Sequence, residues 1–155
     1  MSVQRILLGM DGTEGAARAG HWAAELAATV GASVLVVHVI ARTWMIELSA
    51  LQLDTKDVIQ RARAALYVPW TQPLRDASVQ YDAELVNGDP AADLLQLADS
   101  RKADLIVIGG THHSGLRGAI LGGTAHRIVN NSLVPVVVVP LDPRHTPRTE
   151  VPIPG

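Results

Sequence analysis

Four stretches of this chain, residues 3–10, 33–40, 103–108 and 134–139, are almost continuously apolar and only six to eight residues long. Extended segments without a polar face must be covered on both sides, as in a parallel sheet between two layers of helices. The segment after the first stretch is too long for a hairpin. It carries helical spacing instead, in Ala19, Trp22, Ala23, Leu26, Ala27 and Val30. A strand–helix–strand unit of that length implies parallel pairing through a right-handed crossover. Thr13 is placed to cap this helix and Gly31 to end it.

A fifth strand has a different pattern. Val79, Tyr81, Ala83 and Leu85 alternate with Gln80, Asp82 and Glu84, which predicts one solvated face and a position at a sheet edge. Asp89-Pro90 begins the next helix, with Ala91, Leu94, Leu95 and Ala98 directed inward. Residues 41–78 contain one helical stripe, Val58, Ile59, Ala62, Ala65 and Leu66, before Pro69 and Pro73 interrupt it. The predicted fold is a doubly wound α/β domain over residues 1–140. Its five-stranded parallel sheet has the order 3-2-1-4-5, with helices on both faces. Residues 141–155 form a proline-rich tail without periodicity, expected to be flexible. In that order the strand from Val134 to Val139 falls at an edge although it is apolar on both faces. An uncovered apolar edge is a pairing liability, so a homodimer through this strand is expected. Cover by the tail or a helix is the alternative.

Ligands of such sheets lie beyond the carboxyl ends of the strands, where the strand order reverses. Two features meet there: Asp11 after the first strand, and the glycine-rich segment from Gly109 to Thr124 after the fourth. Glycines let backbone amides converge on an anion, and the helix start that follows adds unpaired N–H groups. A nucleotide is therefore the expected ligand. No Gly-Lys-Ser/Thr ending is present, no base is evident beside the loop, and no Ser–His–Asp relay is fixed by spacing; no catalytic residue is assigned. Arg117 and Arg127 are candidates for phosphate contact. His112, His113 and His126 have no accompanying carboxylate or cysteine, so no metal site is assigned to them. His38 is expected to be a hydrogen-bonded core residue. Trp44, Tyr67 and Trp70 are expected to pack in the core, with a partner patch or a lid as the alternative.

Taken together, Ile6-Leu-Leu-Gly-Met-Asp-Gly-Thr13, Val36-Val-His-Val-Ile40, Gly88-Asp-Pro90, Ala103-Asp-Leu-Ile-Val-Ile-Gly109 and Val134-Pro-Val-Val-Val-Val-Pro140 resemble the universal stress protein family over about residues 3–140. The resemblance implies an ATP site with Mg²⁺. In it Asp11, flanked by Met10 and Gly12, approaches the ribose or the metal, and the backbone of Val39 meets the adenine edge. Gly109, Gly122, Gly123 and Thr124 surround ribose and phosphates. The family's ATP-binding loop reads Gly, two residues, Gly, nine residues, Gly, then Ser or Thr. Here the second glycine falls on His112 when counting starts at Gly109, and on His113 when it starts at Gly110. Two functions are therefore carried forward. One is a stress-associated, homodimeric ATP-binding module with slow or no hydrolysis. The other is a nucleotide-free dimer acting through contacts with an unidentified protein.

The near-neutral net charge of −2 argues against a nucleic-acid partner. No apolar run approaches the ~20 residues of a membrane span. The absence of cysteine and of a signal-like start leads to an expected cytoplasmic location.

Overall fold

The central strand is β1 (Arg5–Gly9), whose Ile6, Leu7 and Leu8 are fully buried because helices cover both of its faces. The computed structural model describes residues 2–111 and 121–141. β1 pairs on one side with β2 (Ser33–Ala41) and on the other with β4 (Leu105–Gly109). β3 (Tyr81–Gly88) and β5 (Val136–Val139) complete an all-parallel sheet of order β3-β2-β1-β4-β5, as predicted.

α1 (Glu14–Val30) lies against one face of the sheet with α3 (Thr55–Tyr67) and α4 (Gln72–Asp76). Ala19, Ala23 and Ala27 form its buried stripe, and such small side chains bring the helix axis close to Ile6, Leu8 and Val36. Val30, the last residue of the helix and expected in that stripe, is exposed instead. The opposite face carries α5 (Pro90–Ser100) and α6 (Gly123–Asn131), which cover Leu7, Leu35, Val37, Ile106 and Ile108. The boundary signals act as read. The Thr13 hydroxyl accepts from the Ala16 amide, Gly31 ends α1 in the left-handed region at φ 73°, and the Asp89 carboxylate accepts from the Ala92 amide.

Residues 41–78 hold more helix than their pattern announces. α2 (Arg42–Ala50) has no buried residue and therefore no apolar stripe to detect; its Trp44 and Ile46 are exposed. Of the three aromatic residues in this region only Trp70 joins the core. Tyr67 is about half exposed and sends its hydroxyl to the Ala83 carbonyl, and Trp44 is likewise exposed. The expected core packing is corrected for both. β3 lies at the edge that its alternation required, whereas Val79 is buried just ahead of it. Within the chain β5 forms the other edge, with Val136, Val137 and Val138 half-buried. Among the described residues no helix is long and apolar enough to cross a membrane.

The start of β1 is pinned by one carboxylate. Asp104 Oδ2 accepts the amides of Gln4 and Arg5, each at 2.9 Å, and these donors hold its carboxyl below the usual carboxylate range. With a native value below the unfolded one, the unfolded chain takes up the proton more readily. The contribution is complete above about pH 4 and is lost as pH falls through the lower native value. Asp104→Asn is therefore expected to lower the urea midpoint at neutral pH. The gap to wild type should close as the titration is repeated into acid, and a gap that stays constant with pH would contradict this role.

Candidate functional site

Beyond the carboxyl ends of β1 and β4 the chain leaves a crevice of about 240 Å³. Met10, Asp11 and Thr13 form one wall, Val37 and Val39 of β2 lie beneath, and Gly109 and Thr111 lead out of β4. Leu94 and Ile128 close the apolar side, and Gly122, Gly123 and Thr124 stand at the mouth where α6 begins.

The floor depends on two glycines. A Cβ on Gly109 would fall on the backbone of Gly15 and Ala16, and one on Gly15 would fall on the carbonyl oxygen of Gly110. The first turn of α1 thus packs backbone to backbone against the end of β4. No side chain fits between them.

The two helix starts at the crevice differ. Asp11 Oδ1 accepts the Thr13 amide at 3.0 Å and the Thr13 hydroxyl at 2.5 Å, and that hydroxyl accepts from Ala16 N at 3.2 Å. The start of α1 is therefore capped from within. α6 has Gly122 at its N-cap, and among the described residues no side chain caps its start. Its first helical bond runs from His126 N to Gly122 O at 2.9 Å, so the amides of Gly123, Thr124 and Ala125 precede the intrahelical ladder. They present N–H groups and the positive end of the helix dipole to the crevice. Asp11 is the one charged side chain among the described lining residues, and its Oδ2 has no hydrogen bond among the described residues.

A sequence profile described as the Universal stress protein family matches residues 2–140. The chain belongs to the universal stress protein family. A universal stress protein of Thermus aquaticus is 31% identical, over 86% of this chain and 96% of its own. Among solved structures, the hypothetical protein MJ0577 superposes with a TM-score of 0.78 at 20% identity, covering 92% of this chain and 99% of the other. A universal stress protein from Archaeoglobus fulgidus in complex with dAMP gives 0.66 at 24% identity, covering 90% and 99%. Another universal stress protein, in complex with cAMP, gives 0.64 at 22%, covering 90% and 98%.

Most of the residues that the family resemblance singles out converge in this universal stress protein. Met10, Asp11, Val39, Gly109, Gly122, Gly123 and Thr124 all line the crevice. Gly12 and Gly110 do not. Gly12, at φ 78°, turns the chain toward α1 and lies against the Trp70 ring, and Gly110 N donates to Val139 O at 2.8 Å, tying β4 to β5. His112 and His113 lie outside the described residues, as does Arg117. Arg127, a candidate for phosphate contact, pairs with Asp89 at 3.0 Å instead; this guanidinium and the Ala92 amide hold the Asp89 carboxyl below its usual range. His126 Nε2 lies 2.9 Å from Asn130 Nδ2, one turn along α6. His38 is hydrogen-bonded to Met10 O as expected, but it is half-buried and not a full member of the core.

Thr13, Val37, Leu94, Thr111 and Ile128 were not read as site residues. Val37 was legible, since strand alternation puts it on the same face as Val39. Leu94 and Ile128 have ordinary helix-core spacing, and only the packing of α5 beside α6 brings them to the crevice.

Proposed function

We propose that the crevice binds an adenine nucleotide and that the protein is a stress-associated binding module with slow or no hydrolysis. The observation that carries this reading is the pairing of a helix start, uncapped among the described residues, with an accepting carboxylate in one apolar-floored crevice. The amides of Gly123, Thr124 and Ala125 suit a phosphate, and Asp11 Oδ2 suits ribose hydroxyls. Val37, Val39 and Leu94 offer an apolar bed for the base. The complexes of related folds with dAMP and cAMP add support, because both ligands combine adenine with a single phosphate. A volume of 240 Å³ lies below the ~300 Å³ at which drug-sized sites begin, which suits a nucleoside held inside with its phosphates at the mouth. For ATP, Asp11 also suits a Mg²⁺ ion shared with the phosphates, since Mg²⁺ is commonly held by one or two carboxylates and phosphate oxygens. Slow turnover is favoured because the described lining contains no lysine and no histidine.

The second reading, a nucleotide-free interaction module, draws on His112 at the second-glycine position and on the exposed Trp44 and Ile46 of α2. In both readings a homodimer through β5 is proposed, because this edge strand carries only valines.

The deciding experiment identifies nucleotides released on denaturing freshly purified protein, followed by calorimetric titration with AMP and with ATP, each with and without Mg²⁺. A bound adenine nucleotide, or saturable heat below millimolar ligand, is the expected result. No nucleotide and no heat at millimolar AMP or ATP would overturn the first reading in favour of the second.

A further inference from the structure

Asp11 sits in a turn between two residues that are each held from behind. β2 supplies Val37 and Val39 to the crevice, and His38, between them, points to the opposite face of the sheet. There His38 Nδ1 lies 2.7 Å from the Met10 carbonyl oxygen. A carbonyl only accepts, so Nδ1 carries the hydrogen. The Met10 amide is held as well, donating to Val37 O at 2.8 Å. On the other side of Asp11, Gly12 adopts φ 78° directly against the indole of Trp70; a Cβ there would be 2.6 Å from its Cζ2. The His38 and Trp70 rings meet edge to face, with centroids 5.1 Å apart and planes at 78°.

Trp70 is itself anchored. Its amide donates to Ala65 O at 3.0 Å, and the next residue, Thr71, is fully buried and accepts from Arg75 at 2.6 Å. The α3–α4 junction, which lines no part of the crevice, therefore presses one rigid ring onto the turn that carries Asp11.

We propose that His38 and Trp70 are positioning residues of the nucleotide site, a two-part clamp that fixes the turn and hence the direction of the Asp11 carboxylate. The proposal rests on the nucleotide reading above. Neither side chain lines the crevice, so each acts through Met10 and Gly12 and not by touching the ligand. The geometry is that of a recognition group whose orientation is set by a supporting shell, where small losses of order weaken binding.

The test compares wild type with His38→Leu, His38→Asn, Trp70→Leu and Trp70→Phe in the full chain. AMP affinity is measured by calorimetry. Amide hydrogen exchange at Met10 and Thr13, the hydrogen-bonded amides flanking the turn, is measured without ligand, against Ile106 and Val107 in β4 as internal standards. His38→Leu keeps volume but removes the donor. Its expected result is AMP binding weakened by up to about tenfold, the limit set by the net worth of one hydrogen bond, with faster exchange at the turn and unchanged exchange in β4. Asn places an amide nitrogen where Nδ1 stood, so His38→Asn should restore both readouts toward wild type. Trp70→Leu should resemble His38→Leu, with Trp70→Phe milder.

Wild-type affinity and turn exchange in folded His38→Leu and Trp70→Leu would overturn the clamp while leaving the nucleotide reading intact. If the leucine variants fail to fold, the milder variants decide. Loss of affinity in His38→Asn equal to that of a global destabiliser, with β4 exchange accelerated as much as the turn, would also overturn it. A wild-type protein that binds no AMP would remove the nucleotide reading and the clamp's role together, an outcome distinguishable from failure of the clamp alone.

Discussion

Gly109→Ala is expected to destabilise the protein by about 2–3 kcal/mol and to weaken nucleotide binding with it. The added methyl has no rotamer with which to escape, because the atoms it meets are the backbone of Gly15 and Ala16. α1 must shift away from β4, which separates Thr13 and Asp11 from Gly109 and spreads the crevice floor. Gly15→Ala should act in the same direction from the other side, through the Gly110 carbonyl. Gly123→Ala is the internal control. Among the described residues nothing lies within 4 Å of a Cβ at that position, the first residue of α6, so the change should stay within about 0.5 kcal/mol. Urea unfolding of the three variants checks the series. Equal midpoints for the alanines at 109 and 123 would refute the close approach as the reason for glycine at Gly109.

The largest effect on binding is expected at Asp11. Its Oδ2 has no hydrogen bond among the described residues, and hydrogen bonds to a charged group contribute about 1.5–3 kcal/mol. Asp11→Ala should therefore weaken AMP binding by about 10- to 100-fold. It also removes the partner of the Thr13 amide and hydroxyl, so Asp11→Asn is the more discriminating variant. Asn keeps an oxygen for Thr13 and loses the charge. If Asp11 serves the ribose, Asn should cost AMP and Mg²⁺–ATP similar factors; if it serves the metal, the loss should be larger for Mg²⁺–ATP than for metal-free AMP. Calorimetry with both ligands separates the two. Tighter AMP binding by Asp11→Asn would instead place the carboxylate against the phosphate and overturn the assigned arrangement.

Much of the architecture was legible because strand and helix periods differ so sharply. The alternation of Tyr81, Ala83 and Leu85 put β3 at an edge, and Thr13, Gly31 and Asp89-Pro90 marked helix ends through hydrogen bonds that need only neighbouring residues. α2 escaped detection for the complementary reason: a helix that buries nothing leaves no stripe. Trp44 and Tyr67 misled because large aromatic side chains are core residues on average, and averages do not say which helix face meets the sheet.

The sequence by itself determined the fold class, the strand order, and the two chain segments that meet at the reversal of that order. These follow from local periodicity and from the handedness of the crossovers, which hold wherever the pattern occurs. It also marked Asp11, Gly109 and Gly122-Gly123-Thr124 as crevice residues through the family's pattern. Only the tertiary structure decided that Gly12 and Gly110 serve packing and strand pairing, that Arg127 turns to Asp89, and that His38 and Trp70 grip the Asp11 turn from behind. The physical reason is common to all of these. Each depends on a contact between segments distant along the chain, and the direction of a side chain across such a contact is set by the packing of whole elements.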